Sequence, residues 1–247
     1  MLFKKEKKTT TEKVNEIQNE VYKYLKPLGF RKHGRTFCRF VDTDIAQVID
    51  FQVDLAARGN NHCLWINVGI GIPECNERTF NKKIPIKKYY HEYECTMRAR
   101  LGCIVDKKDT YYDLRKKYNK YANDIVNKLE KHIIPVFDVL NSRESILKER
   151  KNYTQFDFNT HIILLDEAMI YGRMGETEKA IELFLKYYDK SIQEAREHRQ
   201  YILENGTQIK DSEWYILPNG GRCALPDENS GHLAYLKNLA KELNISL

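Results

Sequence analysis

Seven side chains on four short extended segments are of the types that recognise an anion: Arg35, Arg39, Asp50, Gln52, Asn67, Arg98 and Arg100. Residues two apart on a strand share a face. In 45–54 that rule sets Asp50, Gln52 and Asp54 opposite the apolar positions. In 63–72 it sets Asn67 opposite Leu64, Ile66, Val68, Ile70 and Ile72, and in 93–103 it sets Arg98 and Arg100 opposite Met97, Ala99 and Leu101. In 36–42 and the residue before it, Arg35, Phe37 and Arg39 share a parity against Cys38 and Phe40. Were these strands neighbours, one sheet face would carry two to four arginines beside amides and carboxylates. Arginine on a rigid strand suits bidentate capture of phosphate or carboxylate, with Gln and Asn orienting the ligand. The same pattern also describes an antiparallel sheet with one solvated face, where Arg–Asp pairs only balance charge.

Other chemistries find less support. His33, His62, His91, His132, His161, His198 and His232 are scattered, and His91-Glu92-Tyr93-Glu94-Cys95 has the wrong spacing for a metal-binding helix. The six cysteines form no Cys-x-x-Cys pair, so neither a thiolate zinc site nor a redox dithiol is expected. Cys95 and Cys103 read as small apolar residues on the buried face of one strand. Gly69-Ile70-Gly71 lacks the third glycine and the following helix of a dinucleotide site, and there is no Gly-Lys-Ser/Thr phosphate loop or Gly-x-Ser-x-Gly elbow. No metal and no cofactor is therefore expected. Asp50 with Asp54, and Asp166 with Glu167, are carboxylate pairs, but nothing in the sequence marks either as desolvated, so they read as solvated. The pairs Tyr89-Tyr90, Tyr111-Tyr112, Tyr187-Tyr188 and Trp214-Tyr215 should each have one buried and one partly exposed member.

The elements that must position these groups are legible in outline. Val14, Ile17, Val21, Tyr24, Leu25 and Leu28 mark a first helix capped by Thr10 or Thr11 and closed by Pro27-Leu28-Gly29. Residues 36–42 and 45–54 form a hairpin about Asp42-Thr43-Asp44, and Arg58-Gly59-Asn60-Asn61 is a turn. Residues 63–72 are a third strand and 93–103 a fourth, separated by a long loop from Pro73 to Tyr90. Leu114, Tyr118, Tyr121, Ile125, Leu129 and Ile133 mark a helix that Pro135 breaks or kinks, ahead of another near 136–148. Helix, four antiparallel strands and then helices imply an α+β domain over 1–150. A helical segment follows over 151–247, with a hairpin turning at Gly175, a loop at 217–221 and a last helix near 231–243.

The net charge of +6 is not spread over the chain. Residues 1–35 hold ten basic residues against four acidic ones, and the remainder balances at 31 against 31. A nucleic-acid binder distributes its excess over a broad surface, so this pattern argues against nucleic acid and for a solvated leader. The leader has no apolar run behind it and no segment has the roughly 18 apolar residues of a membrane span. A cytoplasmic protein without membrane contact is expected.

Gly29-Phe30-Arg31-Lys32-His33-Gly34-Arg35-Thr36-Phe37-Cys38-Arg39, Val48–Gln52, Trp65–Ile70 and Arg98–Gly102 stand in the order and spacing of a known pattern. These blocks resemble domain-of-unknown-function family 4304 over roughly the first 150 residues. Asp109-Thr110-Tyr111-Tyr112 departs from that pattern, which has a tryptophan there. The resemblance implies a soluble, bacterial protein and supplies no catalytic residues. Leu164, Ala168, Tyr171, Gly175, Ala180 and Phe184 are similar to one tetratricopeptide repeat, though Tyr187 and Ile192 replace a small residue and a proline. One copy cannot build a solenoid.

The expectation is a non-catalytic binding module that engages a protein partner or an anionic small ligand through the polar sheet face or the helical hairpin. The alternative is an enzyme acting on a phosphorylated or carboxylated small substrate, with Arg39, Arg98 and Arg100 as clamps and Asp50 as base.

Overall fold

The computed structural model describes residues 8–53, 62–80, 84–85, 87–154, 163–210, 212–227 and 231–247. The expected turn at 58–61, and Asp54, lie outside the described residues. The chain divides into two compact units, 1–77 with 83–160, and 78–82 with 161–247. No helix among the described residues is long and apolar enough to cross a membrane.

The first unit is an α+β layer. Helix α1 (Thr10–Leu25) is capped one residue earlier than expected, by Thr9, whose hydroxyl accepts from the Glu12 amide while the Glu12 carboxylate accepts from the Thr9 amide at 2.7 Å. Val14, Ile17, Val21 and Leu25 fall at helical spacing and are buried. A 3-10 turn over Lys26–Leu28 ends at Gly29, whose φ of 87° lies in the region open to glycine.

Strands β1 (Arg31–His33), β2 (Thr36–Val41), β3 (Ile45–Val53), β4 (Cys63–Gly71) and β5 (Met97–Arg100) form the sheet in that order, with a short β6 (Tyr112–Asp113) also on β4. All pairs are antiparallel, and the register aligns Thr36, Asp50, Asn67 and Arg100 in one row. Phe37, Ile49, Phe51, Ile66, Val68 and Ala99 therefore share the opposite face and are buried there. Tyr22 of α1 stacks on Phe37 at 5.5 Å.

Pro135 does not break the helix. Helix α4 (Tyr121–Lys128) continues through one π-helical turn, Leu129–Ile133, into α5 (Ile134–Val139), with Pro135 in the first turn of α5, and the break comes at 140–142, before α6 (Arg143–Glu149), which Ser142 caps. Ala122, Ile125, Leu129, Ile133 and Phe137 complete the core. Gln47, fully buried on this face, donates to the carbonyls of Phe137 and Leu140 at 2.5 and 3.3 Å, satisfying the end of α5.

Two expectations about 73–105 need correction. The supposed long loop opens with a helical turn, α2 (Pro73–Glu77), and the supposed fourth strand is extended only from Met97 to Arg100 before the chain turns helical in α3 (Leu101–Val105). Cys103 is thus helical and does not share a strand face with Cys95. All six cysteines are free.

The second unit contains a helical hairpin, α7 (Ile163–Arg173) and α8 (Thr177–Asn205), with Gly175 at φ 87° in its turn. Helix α8 runs 29 residues and leads into a small three-stranded sheet, β7 (Thr207–Gln208), β8 (Trp214–Ile216) and β9 (Arg222–Ala224), which the sequence reading missed. Among the described residues no second repeat follows, and a tetratricopeptide assignment gains nothing from the geometry. Tyr187 and Tyr188 are both buried, contrary to the expected split, because α8 is covered on more than one side. Asp166 is also not solvated: it is buried and paired with Arg78 at 2.7 Å. The chain ends in α9 (Gly231–Glu242).

Candidate functional site

The polar sheet face is real, and it is not simply wet. Asp50, Gln52, Asn67, Arg98 and Arg100 share it, as their parity implied. Its middle, however, is roofed by the strap 87–95. Tyr90 and Cys95 of the strap bury themselves with Cys38, Ala46 and Val48 of the sheet, and Phe40 packs at the margin. Gly69 and Gly71 explain how the strap comes so close. A β-carbon at Gly71 would stand 2.7 Å from Cδ1 of Tyr90, and one at Gly69 would stand 2.7 Å from Cβ of Cys95. The two glycines that cannot cradle a dinucleotide instead let a side-chain layer lie on the strand backbone.

On the β5 side of the strap lies a recess of about 400 Å³ lined by Gln52, Asn67, Glu92, Arg98, Arg100 and Asp109, among others. Asn67 Nδ2 donates to Gln52 Oε1 at 2.9 Å, so the amide pair is fixed in orientation. Arg98 Nε donates to Glu92 Oε1 at 2.9 Å, and Arg100 pairs with Asp109. The Arg100 guanidinium also sits over the Trp65 ring, 5.2 Å from its centroid, and Trp65 in turn meets Tyr111 at 5.6 Å. Arginine stacked on indole keeps its charge while presenting a fixed plane.

Two carboxyls near this recess are held protonated more readily than usual. Burial pushes Asp50 up, against a 2.7 Å hydrogen bond from Thr36 Oγ1 and the nearby charges of His91 and Arg35. Burial likewise pushes Glu92 up; Arg98 opposes this and the Asp50 charge adds to it. Burial disfavours the ionised form, and two carboxylates near each other reinforce that. A native state with raised carboxyls binds more protons than the unfolded chain above the ordinary value of about 4. Their stabilisation is therefore present at low pH and declines as the pH rises through the raised range. Glu92→Gln is expected to flatten that decline, followed as melting temperature between about pH 4 and about pH 7. A variant with the wild-type slope would show that Glu92 titrates like a surface carboxylate.

The expected residues separate as follows. Gln52, Asn67, Arg98 and Arg100 converge on the recess. Asp50 lies in the same row but outside the lining, its carboxyl engaged by Thr36. Arg35 sits in the β1–β2 turn, close enough for its charge to bear on Asp50. Arg39 is on the other face, and its assignment as a clamp of this site is wrong. It pairs with Gln47 in register, donates to Gln47, to the Leu28 carbonyl and to Asp138 at 2.6, 3.0 and 2.9 Å, and lies over Phe30. Glu92, Asp109 and Trp65 were missed. The signal for Glu92 was the interruption of strand alternation at 91–95, read only as a failed metal motif.

The cysteines in the roofed part fit the structural role expected of them. Burial pushes the Cys38 thiol up to about 11 and the Cys95 thiol well above its ordinary value, so both stay as inert thiols. Among the described residues no cluster of three or more His, Cys, Asp or Glu side chains is arranged to hold a metal.

Residues 21–139 match the model of a family described as a domain of unknown function, DUF4304, and the four blocks that carried the resemblance all lie inside that span. No curated protein and no solved structure matches the chain.

Proposed function

We propose that the DUF4304 domain carried at residues 21–139 is a small-ligand binding module, and that the recess beside the strap is its binding site. The observation that carries this reading is the convergence of Arg98, Arg100, Gln52 and Asn67, from three strands, on one concave volume of about 400 Å³. The ligand class is a compact molecule with a carboxylate or phosphate group and a flat or hydrogen-bonding body. Its anion exchanges with Glu92 and Asp109 for the two guanidinium groups, its polar edge meets the amide pair, and its body lies near Trp65. Each arginine is already paired, so an incoming anion displaces Glu92 and Asp109, and protonation of Glu92, whose carboxyl burial pushes up, lowers the cost of that exchange.

An enzymatic reading is favoured by one observation, the raised carboxyls. In that reading Glu92, which lines the recess, is the acid–base group, and Asp50 supports it electrostatically. Asp50, the carboxyl that strand parity offered, accepts from Thr36 and lies outside the lining of the recess.

The test is a thermal-shift screen of the purified protein against phosphorylated metabolites and dicarboxylates, repeated on Arg98→Ala/Arg100→Ala. A stabilising compound should lose about tenfold or more in affinity in the double variant. Equal stabilisation of both proteins would remove the recess as the site. Recovery of the bound compound unchanged after incubation supports binding without turnover, and its conversion, lost in Glu92→Gln, supports the enzyme.

A further inference from the structure

The strap has a second side. Against β1 and β2 lies another recess, of about 550 Å³, into which Arg31, His33, Arg39, Lys87 and Lys88 all contribute lining. Among the described residues that line it, none is acidic. Four permanent cations face two neighbouring carboxylates outside the lining: Asp138 on Arg39 at 2.9 Å, and Glu94 on Lys87 at 3.0 Å. Arg31 and Lys88 are exposed and have no ion-pair partner among the described residues. His33 is held by stacking on Tyr89, with ring centroids 4.7 Å apart, and its Nε2 is shut off from solvent without a hydrogen-bond partner.

Of these cations Lys87 is held in place, 4.9 Å from the centroid of the Tyr90 ring and paired with Glu94, while the Arg39 guanidinium is turned to the opposite face by Gln47 and the Leu28 carbonyl. Cations gathered around one half-open recess fit a compact, multiply charged anion better than a long polyanion, which needs an open track of positive charge.

We propose that this recess binds a diphosphate group on a small molecule, with Arg31 and Lys88 supplying uncommitted charge, Lys87 a held cation, and the His33 ring lying in the lining beside them. It is independent of the recess beside β5 and does not rest on the function proposed for that one.

The probe is inorganic pyrophosphate, titrated into the full chain by calorimetry while the His33 ring signals are followed by NMR. Pyrophosphate should bind, shift His33 and bind more tightly than inorganic phosphate. Arg31→Ala/Lys88→Ala should weaken it by about tenfold or more without lowering the melting temperature, since both side chains are exposed. Arg98→Ala/Arg100→Ala should leave it unchanged, which separates failure of this proposal from failure of the other. Absence of binding at millimolar pyrophosphate, or equal binding by the Arg31/Lys88 variant, would overturn it. So would tighter binding of a single-stranded oligonucleotide that weakens steeply with salt.

Discussion

Replacing Arg143 by methionine is expected to destabilise the first unit by about 3–5 kcal/mol, the range for removing one partner of a buried ion pair. Arg143 begins the helix Arg143–Glu149 and holds three carboxylates. It grips Glu74 with two nitrogens, at 2.7 and 2.8 Å, Asp44 at 2.8 Å and Asp42 at 3.2 Å. Glu74 has no exposed surface at all, so the variant would leave its charge buried without the guanidinium that compensates it. The cluster also clamps the β2–β3 turn, where Asp42 and Thr43 have φ of 44° and 67°. Neither is glycine, and that conformation persists only where the surroundings enforce it. Methionine fills much of the aliphatic volume, so charge rather than packing dominates the loss. Hydrogen exchange of β3 and β4 amides reads the effect in the first unit alone. Adding Glu74→Gln to the variant should return part of the loss, because it removes the stranded charge. A double variant no better than Arg143→Met would mean that the lost contacts are steric.

That cluster was illegible in the sequence because Arg143 lies 69, 99 and 101 residues from Glu74, Asp44 and Asp42, and each looks like an ordinary surface charge. The polar sheet face was legible because strand parity is local: Asp50, Gln52, Asn67, Arg98 and Arg100 needed only alternation to be placed together. Arg39 failed because parity within a strand does not say how one strand registers on the next. The three-residue turn pairs Val41 with Ile45, which puts Arg39 opposite Gln47 and not in the row of Asp50. The hairpin was read correctly, and its register was the step not taken. The strap was invisible for a different reason. Residues 87–95 have neither helical nor strand period, and only the company they keep, Tyr90 and Cys95 against the sheet, gives them a place.

Gly71→Ala and Gly69→Ala are the test of that placement. Alanine is ordinarily the better strand residue, gaining about 0.5–1 kcal/mol over glycine in conformational entropy. Here each is expected to destabilise instead, by about 1–3 kcal/mol, because the added carbon enters an occupied layer. At Gly71 the obstacle is the Tyr90 ring, 2.7 Å away, and the ring is itself wedged: Phe40 meets it edge-on at 6.2 Å and Lys87 lies over it. At Gly69 the obstacle is the buried Cys95 side chain. Tyr90→Leu should recover part of the loss in Gly71→Ala and none in Gly69→Ala, which ties each clash to its own partner. The same variants reach further than stability. Lys87 and Lys88 border one recess and Glu92 the other, so a strap lifted from β4 disturbs both at once. Loss of pyrophosphate binding together with any ligand of the β5 recess, in a protein whose arginines are intact, is the expected signature. Gly71→Ala with unchanged stability and unchanged ligand response would mean that the strap does not rest on β4, and that the sheet face is the open, solvated surface its alternation first suggested.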